Sequence, residues 1–153
     1  MKTKTLTPEQ ALVRCEEMCA RAEHCSAEIR RKLWQWGVRT EDADAILDSL
    51  VDRRFVDDAR FAAAFVRDRA EYAGWGRRKI AVELIRKHIP RDMISDALGA
   101  IDEGAYKARL GRLIERKRAS MLDPDTYEGR TKIFRYAAAR GYEPDLISAI
   151  LRQ

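Results

Sequence analysis

Apolar residues recur along this chain at intervals of three and four, the spacing that lines one face of an α-helix. Ala11, Leu12, Cys15, Cys19 and Ala22 form one such stripe, Ile29, Leu33 and Trp36 a second, and Ala43, Ile46, Leu47 and Leu50 a third. The pattern then begins again with Phe61, Ala62, Phe65, Val66 and Tyr72, followed by Ile80, Leu84 and Ile85, then by Met93, Ile94, Ala97, Leu98 and Ile101. A third series opens with Tyr106, Leu110, Leu113, Ile114 and Met121 and continues in helices near 129–140 and 144–151. Adding 51 to Ile29, Leu33, Gly37, Val38 and Leu47 gives Ile80, Leu84, His88, Ile89 and Leu98, and a further 53 gives Ile133, Ala137, Gly141, Tyr142 and Leu151. No segment alternates as a half-buried strand does. The predicted fold is therefore all-α, three tandem three-helix repeats (1–56, 57–102 and 103–153) forming an elongated, curved module.

Polar punctuation supports this division. Thr7-Pro8-Glu9-Gln10 has the cap, the first-turn proline and the capping-box partner of a helix start. Ser26 and Thr40 are read as the caps of the next two helices, with Gly37 ending the first of them. Asp57-Asp58 opens the second repeat, Gly74-Trp75-Gly76 breaks it, and Pro90 starts its last helix. Asp123-Pro124-Asp125 is read as the stop of the first helix in repeat three, and Pro144 opens the final one. His88 occupies the position of Gly37 and Gly141, which predicts a different ending for that helix.

Composition narrows the function class. Hydrophobic residues make up 46% and charged residues 36%, and the net charge is +5. Basic and acidic residues number 10 and 10 in residues 1–56, 9 and 8 in 57–102, and 11 and 7 in 103–153. The surplus lies mainly in the last repeat and points to an anionic partner. Met1-Lys2-Thr3-Lys4 leads into a charged helix rather than an apolar signal segment, so a cytoplasmic protein is expected, with no membrane partner. Cys15, Cys19 and Cys25, with His24 nearby, lack the four-ligand spacing of a zinc site and are read as idle thiols, with no metal or other cofactor. No phosphate-binding loop, nucleophile elbow or zinc helix occurs, and His24 and His88 have no catalytic partners in sequence. A binding protein, not an enzyme, is expected.

The segment Phe55–Ala62, F-V-D-D-A-R-F-A, resembles the signature of the RecX family, bacterial regulators of the RecA recombinase. Residues 26–38, S-A-E-I-R-R-K-L-W-Q-W-G-V, are similar to that family's first repeat, and residues 74–84, G-W-G-R-R-K-I-A-V-E-L, to the entry into its second middle helix. The resemblance implies a monomer that binds the RecA nucleoprotein filament, with its single-stranded DNA, and modulates (mostly inhibits) strand exchange, ATPase and co-protease activity. It leaves room for weak direct DNA binding.

Basic residues follow the repeat in units two and three: Arg77 and Lys79 correspond to Arg130 and Lys132, and Lys87 to Arg140. These, with Arg78, Arg86 and Arg135, are expected to line one electropositive face for DNA phosphate or acidic filament surface. Arg77, Arg78 and Lys79 also sit at a helix start, whose free amides favour anions. Asp57, Asp58, Arg60 and Phe61 are read as structural: a helix cap, an Arg60 ion pair joining unit one to unit two, and a core ring. Trp36 is expected in the core, Trp34 on the surface as a candidate base-stacking residue, and Trp75 across its loop. The competing class is a helix-turn-helix regulator of duplex DNA, which requires polar base-reading side chains on a recognition helix. The third helices are instead acidic and apolar.

Overall fold

Local sequence signals set where most helices begin. Thr7 Oγ1 accepts from the Gln10 amide at 3.2 Å, and the Gln10 side chain accepts from the Thr7 amide at 3.0 Å, a complete capping box. Asp57, Asp102 and Thr126 cap in the same way, accepting from the amides of Arg60, Ala105 and Gly129. In the computed structural model, which describes residues 5–153, the described residues form nine helices and no strand. They are α1 (Pro8–Arg21), α2 (Ser26–Gln35), α3 (Thr40–Asp52), α4 (Asp58–Glu71), α5 (Arg77–Arg86), α6 (Arg91–Gly99), α7 (Glu103–Ala119), α8 (Tyr127–Ala139) and α9 (Pro144–Leu151). The sequence reading of Met1-Lys2-Thr3-Lys4 lies outside the described residues.

Three starts or stops fall elsewhere than the sequence predicts. Cys25 and Arg39, not Ser26 and Thr40, are the residues preceding α2 and α3, so both proposed caps sit inside their helices. Helix α7 stops at Ala119, with Ser120 closing its last turn, rather than at Asp123-Pro124-Asp125. Met121 is consequently a loop residue, packed on the core from outside the helix.

Each group of three helices closes its own apolar cluster. Leu6, Ala11, Cys15, Ile29, Leu33 and Leu50 belong to the first, Phe61, Phe65, Ile80, Leu84 and Ile94 to the second, and Tyr106, Leu110, Ile133, Tyr142 and Ile147 to the third. The principal helix–helix packing runs α1 and α2 on α3, then among α4, α5 and α6, then among α7, α8 and α9. Three small cores leave much surface outside: the accessible area is 10030 Å², against about 7,900 Å² for a compact globule of this mass. The units therefore lie in a row. Trp36 is only half-buried at the edge of the first cluster, short of the core position expected for it.

The units are joined end to end through their middle helices. The α5 amides of Gly76 and Arg78 donate to the carbonyls of Arg140 and Gly141, beyond the end of α8, at 2.7 and 3.0 Å. The intervening Arg77 amide donates to the Tyr106 hydroxyl at 3.0 Å. Amides at a helix start and carbonyls at a helix end have no partner within their own helix, so each supplies what the other lacks. At the first junction the Ser26 amide donates to Asp58 Oδ1 at 2.8 Å, and Cys25 Sγ lies 3.9 Å from the Lys87 carbonyl. Cys25, fully buried, belongs to the second unit's core although it precedes α2.

The helix endings at Gly37, His88 and Gly141 share one conformation. All three have positive φ, 74°, 59° and 98°. His88 thus does not change the ending predicted to differ; it adopts the left-handed conformation at a steric cost glycine does not bear. Glycine is indispensable at the second junction for another reason. A Cβ on Gly76 would lie 2.2 Å from the Gly141 carbonyl carbon, and one on Gly141 would lie 2.5 Å from the Lys79 nitrogen.

Two substitutions separate these roles. Gly76→Ala forces backbone apart and is expected to cost about 2–3 kcal/mol in urea unfolding. His88→Gly relieves about 1–2 kcal/mol of left-handed strain, less about 0.5–1 kcal/mol of unfolded-state entropy. It is expected to raise the melting temperature slightly, and a lowered one would contradict this account of the turn.

Candidate functional site

Burial and pairing divide the basic residues into structural cations and available ones. Arg77 is the clearest structural case. Its side chain is 22% exposed, pairs with Glu103, and sits 2.5 Å from Glu143. The guanidinium also lies over the Tyr106 ring, 3.9 Å from the centroid. Burial works against its charge, but the bonds to Glu143 and Glu103 outweigh this and raise its pKa. Burial and the hydrogen bond to Glu143 likewise raise the Tyr106 phenol. Arg77 is thus a clamp between units two and three rather than a free cation. The amides of Gly76, Arg77 and Arg78 are all occupied from within the chain, so the α5 start is closed to an anion.

Other predicted positions are partly neutralised. Lys87 lies 3.6 Å from Glu28 of the first unit, and Arg86 pairs with Glu83 at 3.0 Å. Lys79 is half-buried, with its ammonium over the Trp75 ring at 4.2 Å. Trp75 packs across the loop, edge-on to Phe65. Arg78 is exposed and makes no ion pair among the described residues. On α8, Arg130 and Arg135 line a groove with Phe134 and Leu151, whereas Lys132, Tyr136 and Arg140 follow one another at four-residue spacing along a different stripe. The nine residues therefore do not share the single face expected of them. They are distributed over a junction, a groove and a stripe.

Asp57, Asp58, Arg60 and Phe61 take separate structural positions. Asp57 caps its own helix, and Asp58 reaches back to the α2 amide of Ser26. Arg60 pairs with Glu23 of the first unit at 2.7 Å and donates to the Arg54 carbonyl at 3.1 Å. Phe61 is buried and stacks with Phe65. Trp34 is exposed, as its position off the apolar stripe predicts. Burial pushes the Cys15 and Cys25 thiols up to about 11, and the described residues contain no cluster suited to a metal ion. No helix among them is long and apolar enough to cross a membrane.

The largest gathering of available cations was missed in sequence. Arg109, Arg112 and Arg116 recur on one side of α7 and meet Arg140 in a cleft of about 310 Å³ beside the end of α4. Tyr136 lies between the two helices, with Lys117 Nζ and Arg140 Cζ 4.8 and 4.6 Å from its ring centroid. Lys117 and Lys132 line the next depression along the same helices. These six cations, Arg109, Arg112, Arg116, Lys117, Lys132 and Arg140, form a basic strip without an ion pair among the described residues. The i, i+3, i+7 spacing of the α7 arginines was visible in sequence, but it reads equally as a solvated face.

Comparisons with known proteins agree with this architecture. The family model described as RecX, second three-helix domain, matches residues 57–98, and that described as RecX, third three-helix domain, matches residues 106–151. A "Regulatory protein RecX" from Mycobacterium sp. (strain KMS) is 36% identical over 142 residues, covering 90% of this chain and 78% of the relative. Another, from Clostridium botulinum (strain Eklund 17B / Type B), is 27% identical over 158 residues, covering 99% and 74%. The crystal structure of RecX from Lactobacillus salivarius superposes with a TM-score of 0.85 at 19% identity, over 95% of this chain and 94% of that one.

The division of cations has a direct test. Arg77→Ala removes the guanidinium that bridges Glu103 and Glu143 and covers the Tyr106 ring, and is expected to cost about 2–4 kcal/mol in urea unfolding. Arg78→Ala should change stability by less than about 0.5 kcal/mol. Equal, small effects would remove the clamp assignment.

Proposed function

The chain belongs to the RecX family, and from that premise we propose that it binds the RecA nucleoprotein filament and restrains its ATPase, strand-exchange and co-protease activities. The observation that carries the reading is the basic strip on α7 and α8, six cations without an ion pair among the described residues, while Arg77 and Lys87 are drawn into the junctions between units. A row of units whose last member carries a run of cations matches a long anionic partner better than a compact one. Action follows from differential binding. A chain that prefers one state of the filament populates that state and slows turnover that requires the others. This is work for a cytoplasmic binding protein without cofactor, and a monomer suffices for it. The third helices α3, α6 and α9 carry acidic side chains and, Arg91 apart, no basic one, which disfavours a duplex-reading helix.

Single-strand-stimulated ATP hydrolysis by RecA, measured with substoichiometric amounts of this protein, is expected to fall. Arg112→Glu with Arg116→Glu should weaken that inhibition at least about tenfold at low salt. Hydrolysis unchanged at every concentration of the unaltered protein would overturn the reading.

A further inference from the structure

The inner end of the basic strip is shaped differently from the rest. Here the end of α4 closes over α7, so that Arg109, Arg112, Arg116 and Arg140 face a recess rather than open solvent, with Glu71 as the one acidic side chain in its wall. Four positive charges against one negative leave the recess strongly cationic. Burial raises the pKa of the Tyr142 phenol, against a smaller opposing pull from Arg109, Arg140 and Arg112. That phenol is held by the fold, bonded to the Gly74 carbonyl at 3.1 Å.

Two of the arginines are incompletely satisfied. The Nε atoms of Arg109 and Arg140 are buried and have no hydrogen-bond acceptor. Buried N–H donors seldom remain orphaned in a folded protein without a reason. An oxyanion in the recess supplies the missing acceptor once a guanidinium turns its fork toward it, the geometry arginine uses with phosphate. At the rim stands Tyr72, 83% exposed. An aromatic ring left in solvent beside a cationic recess is the pairing found where single strands bind, the charge taking backbone and the ring taking a base face. A duplex keeps its bases stacked and cannot offer one to Tyr72.

We propose that this recess between units two and three is a single-stranded nucleic-acid subsite, holding one backbone phosphate among Arg109, Arg112, Arg116 and Arg140 while an adjoining base stacks on Tyr72. The proposal rests on the reading of the strip as a contact surface, but the subsite needs no recombinase to be occupied. Its test is therefore made without one, and failure here leaves inhibition of the filament separately measurable.

Fluorescence anisotropy of a labelled short oligothymidylate, titrated with the full chain across a salt series, reads both halves of the subsite. Arg112→Ala with Arg116→Ala should weaken binding at least about tenfold at about 50 mM salt and reduce the log–log salt slope by about 1.4, two phosphate-facing charges at about 0.7 each. Tyr72→Ala should weaken binding about 5- to 50-fold and leave the salt slope unchanged. Arg91→Ala, an exposed cation outside the recess, is the control, and circular dichroism melts confirm that each variant is folded. Unlabelled duplex of the same length should compete less well than single strand, and inorganic phosphate only weakly. Unchanged affinity and slope in the arginine double variant would overturn the subsite. Equal competition by duplex, with no effect of Tyr72→Ala, would overturn its single-strand character.

Discussion

The alignment of the three units depends on the start of one middle helix meeting the end of the next. Three cores of this size are each near the lower bound for independent stability, and little helix–helix packing joins one to another. What joins them is largely polar and local, with Cys25 and Ile101 as the apolar links. Gly76 and Arg78 donate into the turn after α8, Cys25 Sγ lies against the Lys87 carbonyl at the end of α5, and the Ser26 amide donates to Asp58. Donors and acceptors that would otherwise need water find each other, and the units are held in line. The helix α8, by contrast, is capped by its own Thr126.

That junction also decides which charges remain outside. Arg77 and Arg130 are equivalent in the repeat, yet the first is clamped by Glu103 and Glu143 and the second lines an open groove. Lys87 and Arg140 are equivalent too. One reaches Glu28 of the preceding unit, and the other faces the arginines of α7. Repetition of sequence preserves backbone position but not electrostatic surroundings, because the neighbours differ at each step. The asymmetry of free charge along the row follows from this. Arg60, Arg77 and Lys87 of unit two are drawn into the junctions, whereas unit three leaves Arg112, Arg116 and Lys132 exposed.

The same distinction explains what was legible in sequence. Ile29 and Leu33, Ile80 and Leu84, and Ile133 and Ala137 are all fully buried, because burial of an apolar stripe is imposed by the helix's own periodicity. The signature aspartates, Arg60 and Phe61 were readable as structural, since capping and local stripes act over a few residues. Ser26 and Thr40 were misplaced by one residue. At α2 the reason is visible: the group that serves the Ser26 amide comes from Asp58, far along the chain. The arginine recess was illegible for a similar reason. Its walls come from α4, α7 and the end of α8, and no local spacing announces that they converge.

The in-line arrangement of α2, α5 and α8 has a mechanical meaning. The junctions rest on a few hydrogen bonds and ion pairs, so a pull that separates the units is carried by few contacts. Within each unit the same pull must slide whole apolar faces past one another, which resists over a larger area. Such a chain yields first between its units and keeps each one intact. Any deformation of the chain then falls at defined joints, with the closest of them, at Gly76 and Gly141, set by backbone touching backbone.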